Sequence, residues 1–130
     1  MAYKRWRDWL DEALDDIAAA ETLMKDGRYS KVCFLSQQAA EKAVKALIIY
    51  RLKSYETIHS VAELLRKTGA PDDLIRLGVE LDRHYIPSRY PNAWPSGTPS
   101  KMYRETEAES ALNAARKVLD YVEGEIESGN

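Results

Sequence analysis

Apolar residues recur at intervals of three and four through most of this 130-residue chain, the spacing that lines one face of a helix. Trp6, Trp9, Leu10, Ala13, Leu14, Ile17, Ala20 and Leu23 make the first such stripe. It predicts a helix from about Tyr3 to Asp26, with Gly27 as its C-cap. Asp8, Asp11, Glu12, Asp15 and Asp16 crowd its early and middle turns, where the positive end of the helix tolerates negative charge. Val32, Leu35, Ala39, Ala43, Ala46, Leu47 and Tyr50 predict a second helix from about Ser30 to Leu52, roughly 34 Å long. The small residues Ala39, Ala40, Ala43 and Ala46 let a neighbouring helix come close. Leu47, Ile48, Ile49 and Tyr50 are apolar on nearly all sides. That predicts burial against more than one partner, with another subunit as a candidate.

A short third helix is expected from Ser60, where Ser60 and Glu63 fit a capping box, to Thr68 and Gly69. A fourth is expected near Pro71, with Leu74, Leu77 and Leu81 on one face. The last starts near Thr106, with Thr106 and Glu109 as another box. It runs on the stripe Ala108, Ala111, Leu112, Ala115, Val118, Leu119, Val122 and Ile126. No segment alternates like a strand and no hairpin turn stands out. The expected fold is all-α, an antiparallel up-and-down bundle of four to five helices. It forms a single domain over residues 1–130, with a long proline-rich loop before the last helix.

Composition narrows the function more than the fold. The chain is 45% hydrophobic and 31% charged, with a net charge of −2. That speaks against binding nucleic acid with the whole surface but leaves a local patch open. A single cysteine, Cys33, excludes a disulfide framework and a cysteine-rich zinc site. It is read as a small buried hydrophobe. No apolar run reaches the length of a membrane span and no signal-peptide core stands at the N-terminus, so the cytoplasm is the expected location.

The loop breaks the pattern. Four of the five prolines, Pro87, Pro91, Pro95 and Pro99, lie in it. Between residues 83 and 104 stand Arg83, Arg89, Lys101 and Arg104 and no acid, a charge of +4 that leaves −6 for the rest of the chain. The same window holds Tyr85, Tyr90, Trp94 and Tyr103. Guanidinium forks bind phosphate oxygens and aromatic faces stack on bases, so this mixture suits a nucleotide or single-stranded RNA. The alternative is a loop that only wraps the bundle, with Trp94 and the tyrosines as packing plugs. His59 reads either as the residue leading into the third helix or as a phosphate or acid–base group. His84 faces either the loop or solvent. Gln37, Gln38, Lys42 and Lys45 form a polar run in the second helix, read first as a solvated face. Trp6 and Trp9 read as core or interface. Two histidines without a carboxylate motif predict no metal site, and no cofactor is predicted. Neither a glycine-rich phosphate loop nor a nucleophile elbow is present.

The run Gln37-Gln38-Ala39-Ala40-Glu41-Lys42-Ala43-Val44-Lys45-Ala46-Leu47 resembles the second helix of HEPN domains, a family of small helical bundles. Gly27-Arg28-Tyr29, His59-Ser60-Val61 with Leu64-Leu65, Tyr85 with Arg89-Tyr90-Pro91-Asn92, and Tyr103 with the last stripe extend the resemblance from about residue 8 to 123. It implies a homodimer that works with a minimal nucleotidyltransferase in a toxin–antitoxin-like pair. Many HEPN domains are metal-independent ribonucleases whose signature is an Arg, four to six residues, then His. Here Arg51 precedes His59, and Arg76 precedes His84, each with seven residues between, a reach of about 12 Å along an unbroken helix. Asn92 also stands where the family more often has Asp.

The leading expectation is therefore a HEPN-like nucleotide- or RNA-binding protein. Arg83 and Arg89 would pair phosphate, Tyr90 and Tyr103 would stack or hydrogen-bond, and Lys42, His59 and His84 would complete the site. The alternatives are an RNA endonuclease toxin with an altered active site, in which Arg83, Arg89 and His84 carry the chemistry, and a purely structural protein-interaction module.

Overall fold

The structure, a computed structural model, describes residues 5–129. Six helices follow one another and no strand occurs among the described residues: α1 (Trp6–Lys25), α2 (Tyr29–Leu52), α3 (Val61–Thr68), α4 (Asp72–Asp82), α5 (Pro99–Met102) and α6 (Glu105–Glu127). A single 3-10 turn, Pro91–Ala93, lies between α4 and α5. The expected start of the first helix at Tyr3 lies outside the described residues.

The bundle is built round α2. It packs mainly on α1 and α6, while the α3–α4 pair closes a further side. Gly27 turns the chain from α1 into α2 with φ 73°, a left-handed backbone that glycine adopts without a Cβ clash. Ala39, Ala40, Ala43 and Ala46 have no exposed surface at all, so α1 and α6 approach the α2 axis closely. Leu47, Ile48 and Ile49 are also covered, at 0–1% exposure, within this one chain. The all-round apolar end of α2 therefore needs no second subunit to bury it. Its packing against several elements of its own fold accounts for the pattern.

Several local details differ from the sequence pattern. In α1 the buried face holds Ala13, Asp16, Ile17 and Ala20, while Leu14 is 41% exposed. Asp16 goes in because Lys42 of α2 meets it, Nζ to Oδ2 2.9 Å. At the head of α3 the Glu63 amide donates to Ser60 Oγ at 3.2 Å, which is one half of the expected box. Asp82 supplies the remaining acceptors. Its carboxylate takes the amides of Val61 at 2.7 Å and Ala62 at 3.2 Å, and the Ser60 hydroxyl at 2.7 Å. The last helix begins at Glu105, so its first-turn acceptor is Glu107, which takes the Arg104 amide at 3.0 Å, in place of the expected Thr106–Glu109 box. The expected loop carries the short α5, and it is pinned to the bundle. Trp94 Nε1 donates to the Pro87 carbonyl at 2.8 Å, and the Trp94 ring meets Tyr103 edge-on at 5.8 Å.

Candidate functional site

The end of α4 and the turns after it fix the position of Arg89. The Arg89 amide donates to the Ile86 carbonyl at 3.0 Å, and its Nε donates to the Tyr85 carbonyl at 2.9 Å. The guanidinium carbon lies 4.6 Å from the ring centre of Phe34 on α2, 4.7 Å from Tyr85 and 4.8 Å from Tyr90. Three rings thus surround one cation within cation–π distance. Among the described residues no carboxylate pairs with it, and its two Nη groups keep their donors for a ligand.

Tyr85 carries a second group. The His59 ring stacks on it at 5.3 Å with an interplanar angle of 20°. His59 Nδ1 is 3.1 Å from Glu41 Oε2, and Glu41 is a buried carboxylate of α2. Charge is balanced there by Lys45, whose Nζ reaches Glu41 Oε2 at 2.9 Å. Gln37 Nε2 donates to Glu41 Oε1 at 3.2 Å and to the His59 carbonyl at 3.0 Å, and Gln38 Nε2 donates to Gln37 Oε1 at 2.6 Å. Lys45, nearly out of solvent, has its ammonium 5.7 Å from the Trp9 ring and 5.8 Å from Tyr55. The polar run of α2 is in part an internal scaffold and not only a solvated face. Through Gln37 and Glu41 it also holds His59.

The residues expected to form one site fall into separate groups. Arg89, Tyr90 and His59 come together, joined by Phe34, Tyr85 and Glu41. Arg83, His84 and Tyr103 line a different cavity, about 450 Å³, between α4 and the start of α6, together with Glu80, Thr106, Glu107 and Ser110. No hydrogen bond, ion pair or ring contact joins the side chains of the two groups. Lys42 is engaged on the α1 side, with Asp16 and, at 3.8 Å, Glu12.

In the second cavity Tyr103 is 6% exposed and its hydroxyl lies 2.9 Å from His84 Nδ1. Burial pushes the Tyr103 phenol up, with Cys33 and Glu107 adding to the effect. Burial also lowers His84, and Arg83 adds to it, against Glu107 and Glu80. Both groups are therefore neutral near pH 7. Ser88 Oγ ties this group to the loop by donating to the His84 carbonyl. Cys33, fully buried, is pushed up to about 12 by burial and offers no nucleophile. Among the described residues no three His, Cys, Asp or Glu side chains gather in a way that could hold a metal ion.

From the sequence, Phe34 and Glu41 are missed as site residues and Tyr85 is named only among the rings of the loop. For Glu41 a signal exists: Gln37, Glu41 and Lys45 stand four residues apart on one face of the helix, a spacing at which side chains meet. Phe34 carries no such mark.

Residues 6–125 match the HEPN domain family. The structure resembles TT1696 from Thermus thermophilus, with TM-score 0.88 and 40% identity over 92% of this chain and 97% of that one. It also resembles ST0689, described as an archaeal HEPN homologue, with TM-score 0.82 and 38% identity over 94% and 98%. A HEPN domain protein of Thermotoga maritima, TM0613, follows with TM-score 0.74 and 34% identity over 92% and 98%. By sequence the chain is 28% identical over 126 residues to a protein of Methanocaldococcus jannaschii named "Putative toxin MJ1304", covering 88% of this chain and 83% of that protein.

Proposed function

The chain belongs to the HEPN domain family, and from that premise we propose that it binds the phosphate backbone of a nucleotide or single-stranded RNA at Arg89, as one member of a toxin–antitoxin-type pair. The observation that carries the reading is the state of Arg89. Its guanidinium is braced by Phe34, Tyr85 and Tyr90 and is answered by no carboxylate among the described residues. A cation fixed in orientation but lacking a counter-ion is suited to a phosphate fork. Tyr90, 46% exposed, offers a ring on which a base can stack.

Binding is favoured over cleavage by the sequence spacing and by the fate of Arg51. That side chain is engaged by the Thr68 carbonyl at 2.7 Å and by Glu125. The relative named as a toxin supports the paired-system part of the reading. Family membership supports a homodimer and a minimal nucleotidyltransferase partner. Fluorescence anisotropy with a labelled RNA hexamer tests the site. Arg89→Ala should weaken binding at least about tenfold, the scale of a charge-assisted hydrogen bond. Equal affinity for the two proteins would remove Arg89 from any ligand.

A further inference from the structure

Among the described residues Tyr85 is the one side chain in ring contact with both His59 and Arg89. Its hydroxyl has no hydrogen-bond partner among those residues, so the ring takes its orientation from what packs on it. The His59 imidazole does so nearly parallel, at 5.3 Å and 20°, and a stacked pair fixes the plane of each member. The Arg89 guanidinium carbon lies 4.7 Å from the centre of the same ring.

His59 is itself held from the interior. Its Nδ1 lies 3.1 Å from Glu41 Oε2, and its carbonyl takes Gln37 Nε2 at 3.0 Å. Glu41 is 5% exposed and Gln37 is fully buried. Lys45 Nζ at 2.9 Å and Gln37 Nε2 at 3.2 Å hold the carboxylate in turn. A carboxylate in the interior is tolerated only when paired and hydrogen-bonded. Glu41 therefore has little freedom to swing, and the imidazole has a fixed point of attachment. Phe34 stands two turns before Glu41 on the same face of α2, and its ring centre is 4.6 Å from the Arg89 guanidinium carbon. One face of α2 thus reaches Arg89 by two routes, directly through Phe34 and indirectly through Glu41, His59 and Tyr85.

No hydrogen bond, ion pair or ring contact joins His59 to Arg89 directly among the described residues. We infer that His59, anchored by Glu41, is a positioning residue: it sets the Tyr85 ring, and through that ring the direction of the Arg89 guanidinium, without touching the ligand. A cation already aimed pays less in ordering when a phosphate arrives. The inference rests on the phosphate reading at Arg89. It gives the buried Glu41, Gln37 and Lys45 a part in binding that none of them plays by contact.

The test is a double-mutant cycle on the binding of a labelled RNA hexamer at pH 8, above the usual titration range of histidine. His59→Ala should weaken binding about three- to fivefold, the scale of one ring pair. In Tyr85→Leu the same change should have no effect, because the ring through which His59 acts is gone and residues acting in series are not additive. His59→Phe keeps a ring against Tyr85 but loses the Glu41 anchor, and should fall between the original protein and His59→Ala. The dependence of affinity on salt should be the same in all of them, since no charge that meets the ligand is removed. Nitrogen-15 relaxation at Arg89 Nε, measured without RNA, should show a more mobile side chain in His59→Ala. A His59→Ala loss as large in Tyr85→Leu as in the original protein would put His59 on the ligand and overturn the inference, as would His59→Phe binding no better than His59→Ala. Arg89 Nε equally ordered with and without the His59 ring would overturn it too. So would His59→Ala binding as the original protein does while Arg89→Ala still weakens binding, an outcome that leaves the phosphate reading standing. No binding of the hexamer by the original protein would overturn that reading and the positioning role with it.

Discussion

Arg89 is fastened to Tyr85 twice, by its Nε–H to the Tyr85 carbonyl at 2.9 Å and by its guanidinium carbon lying 4.7 Å from the centre of the same ring. Nε is thereby spent on the backbone. The Nη edge is what remains to meet a ligand, and its direction is set before any ligand arrives. Much of the cost of ordering a long side chain is met in advance, which is what raises affinity at such sites.

Lysine in that place would keep the charge and lose both constraints. It has no planar group to lie among Phe34, Tyr85 and Tyr90 and no Nε–H to fix its direction. Arg89→Lys is expected to bind an RNA hexamer about tenfold more weakly, about 1.4 kcal/mol, with thermal stability little changed. The dependence of affinity on salt should stay the same, since the charge is retained. Titrations at two salt concentrations check both statements. Affinity equal to that of arginine would mean that the three rings contribute nothing.

The helix stripes, the turn at Gly27 and the proline-rich break were legible in the sequence because each follows from neighbours a few residues away. The face that α1 buries was not. Leu14 fits the stripe yet is exposed, and Asp16 does not fit it yet is buried, because Lys42 on another helix makes burial of a charge acceptable. The candidate site was legible in the same partial way. Charge and ring composition pointed to Arg89 and Tyr90. The same rule put Arg83 beside them, although the structure puts Arg83 in another cavity. Composition counts groups in a window and cannot say which way the turns after α4 will face them. Glu41 and His59 are eighteen residues apart, and only the packing of the segment before α3 on α2 joins them.

The cap on α3 is another long-range feature, and it predicts a stability effect at a residue outside the site. Asp82 closes α4 and at the same time accepts the Val61 and Ala62 amides and the Ser60 hydroxyl. Those amides belong to the first turn of α3 and have no acceptor within the helix. Asp82→Ala should destabilise the protein by about 1–2 kcal/mol, the usual worth of an N-cap. Urea unfolding measures it. Asp82→Asn, which keeps an acceptor oxygen, should recover part of the loss. No change on Asp82→Ala would mean that water replaces the carboxylate at no cost.

Gly78 tests how tightly α3 and α4 are packed. A Cβ there would sit 3.0 Å from the Ala62 amide nitrogen, 3.1 Å from its Cα and 3.1 Å from Leu65 Cδ1. Helix propensity alone favours alanine over glycine by about 1 kcal/mol. Overpacking against backbone, which cannot rotate away, costs about 1–3 kcal/mol. The second effect should win, so Gly78→Ala is expected to lower the urea midpoint. Gly124, where an added Cβ meets nothing within 4 Å, is the control. Gly124→Ala should raise the midpoint. If both substitutions stabilise, the two helices are less closely set than this geometry requires.

His84 gives the fold a pH dependence on the acid side. Burial is the first cause of its lowered value, with Arg83 assisting and Glu107 and Glu80 opposing. In the unfolded chain the ring returns to its ordinary 6.5. Between the lowered folded value and 6.5 the unfolded state holds more protons than the native state. Stability therefore rises with pH across that window. The contribution is complete above 6.5 and is lost as the pH falls through the folded value. His84→Gln keeps a group that Tyr103 can hydrogen-bond and removes the titration. Denaturant unfolding at several pH values from about 7.5 down to about 5 should show wild-type stability falling more steeply than that of the variant. Every other titrating group is common to the two proteins and should contribute alike to both. Parallel curves would mean that His84 is as well solvated in the folded chain as in the unfolded one, and the cavity between α4 and α6 would then be open to water at the imidazole.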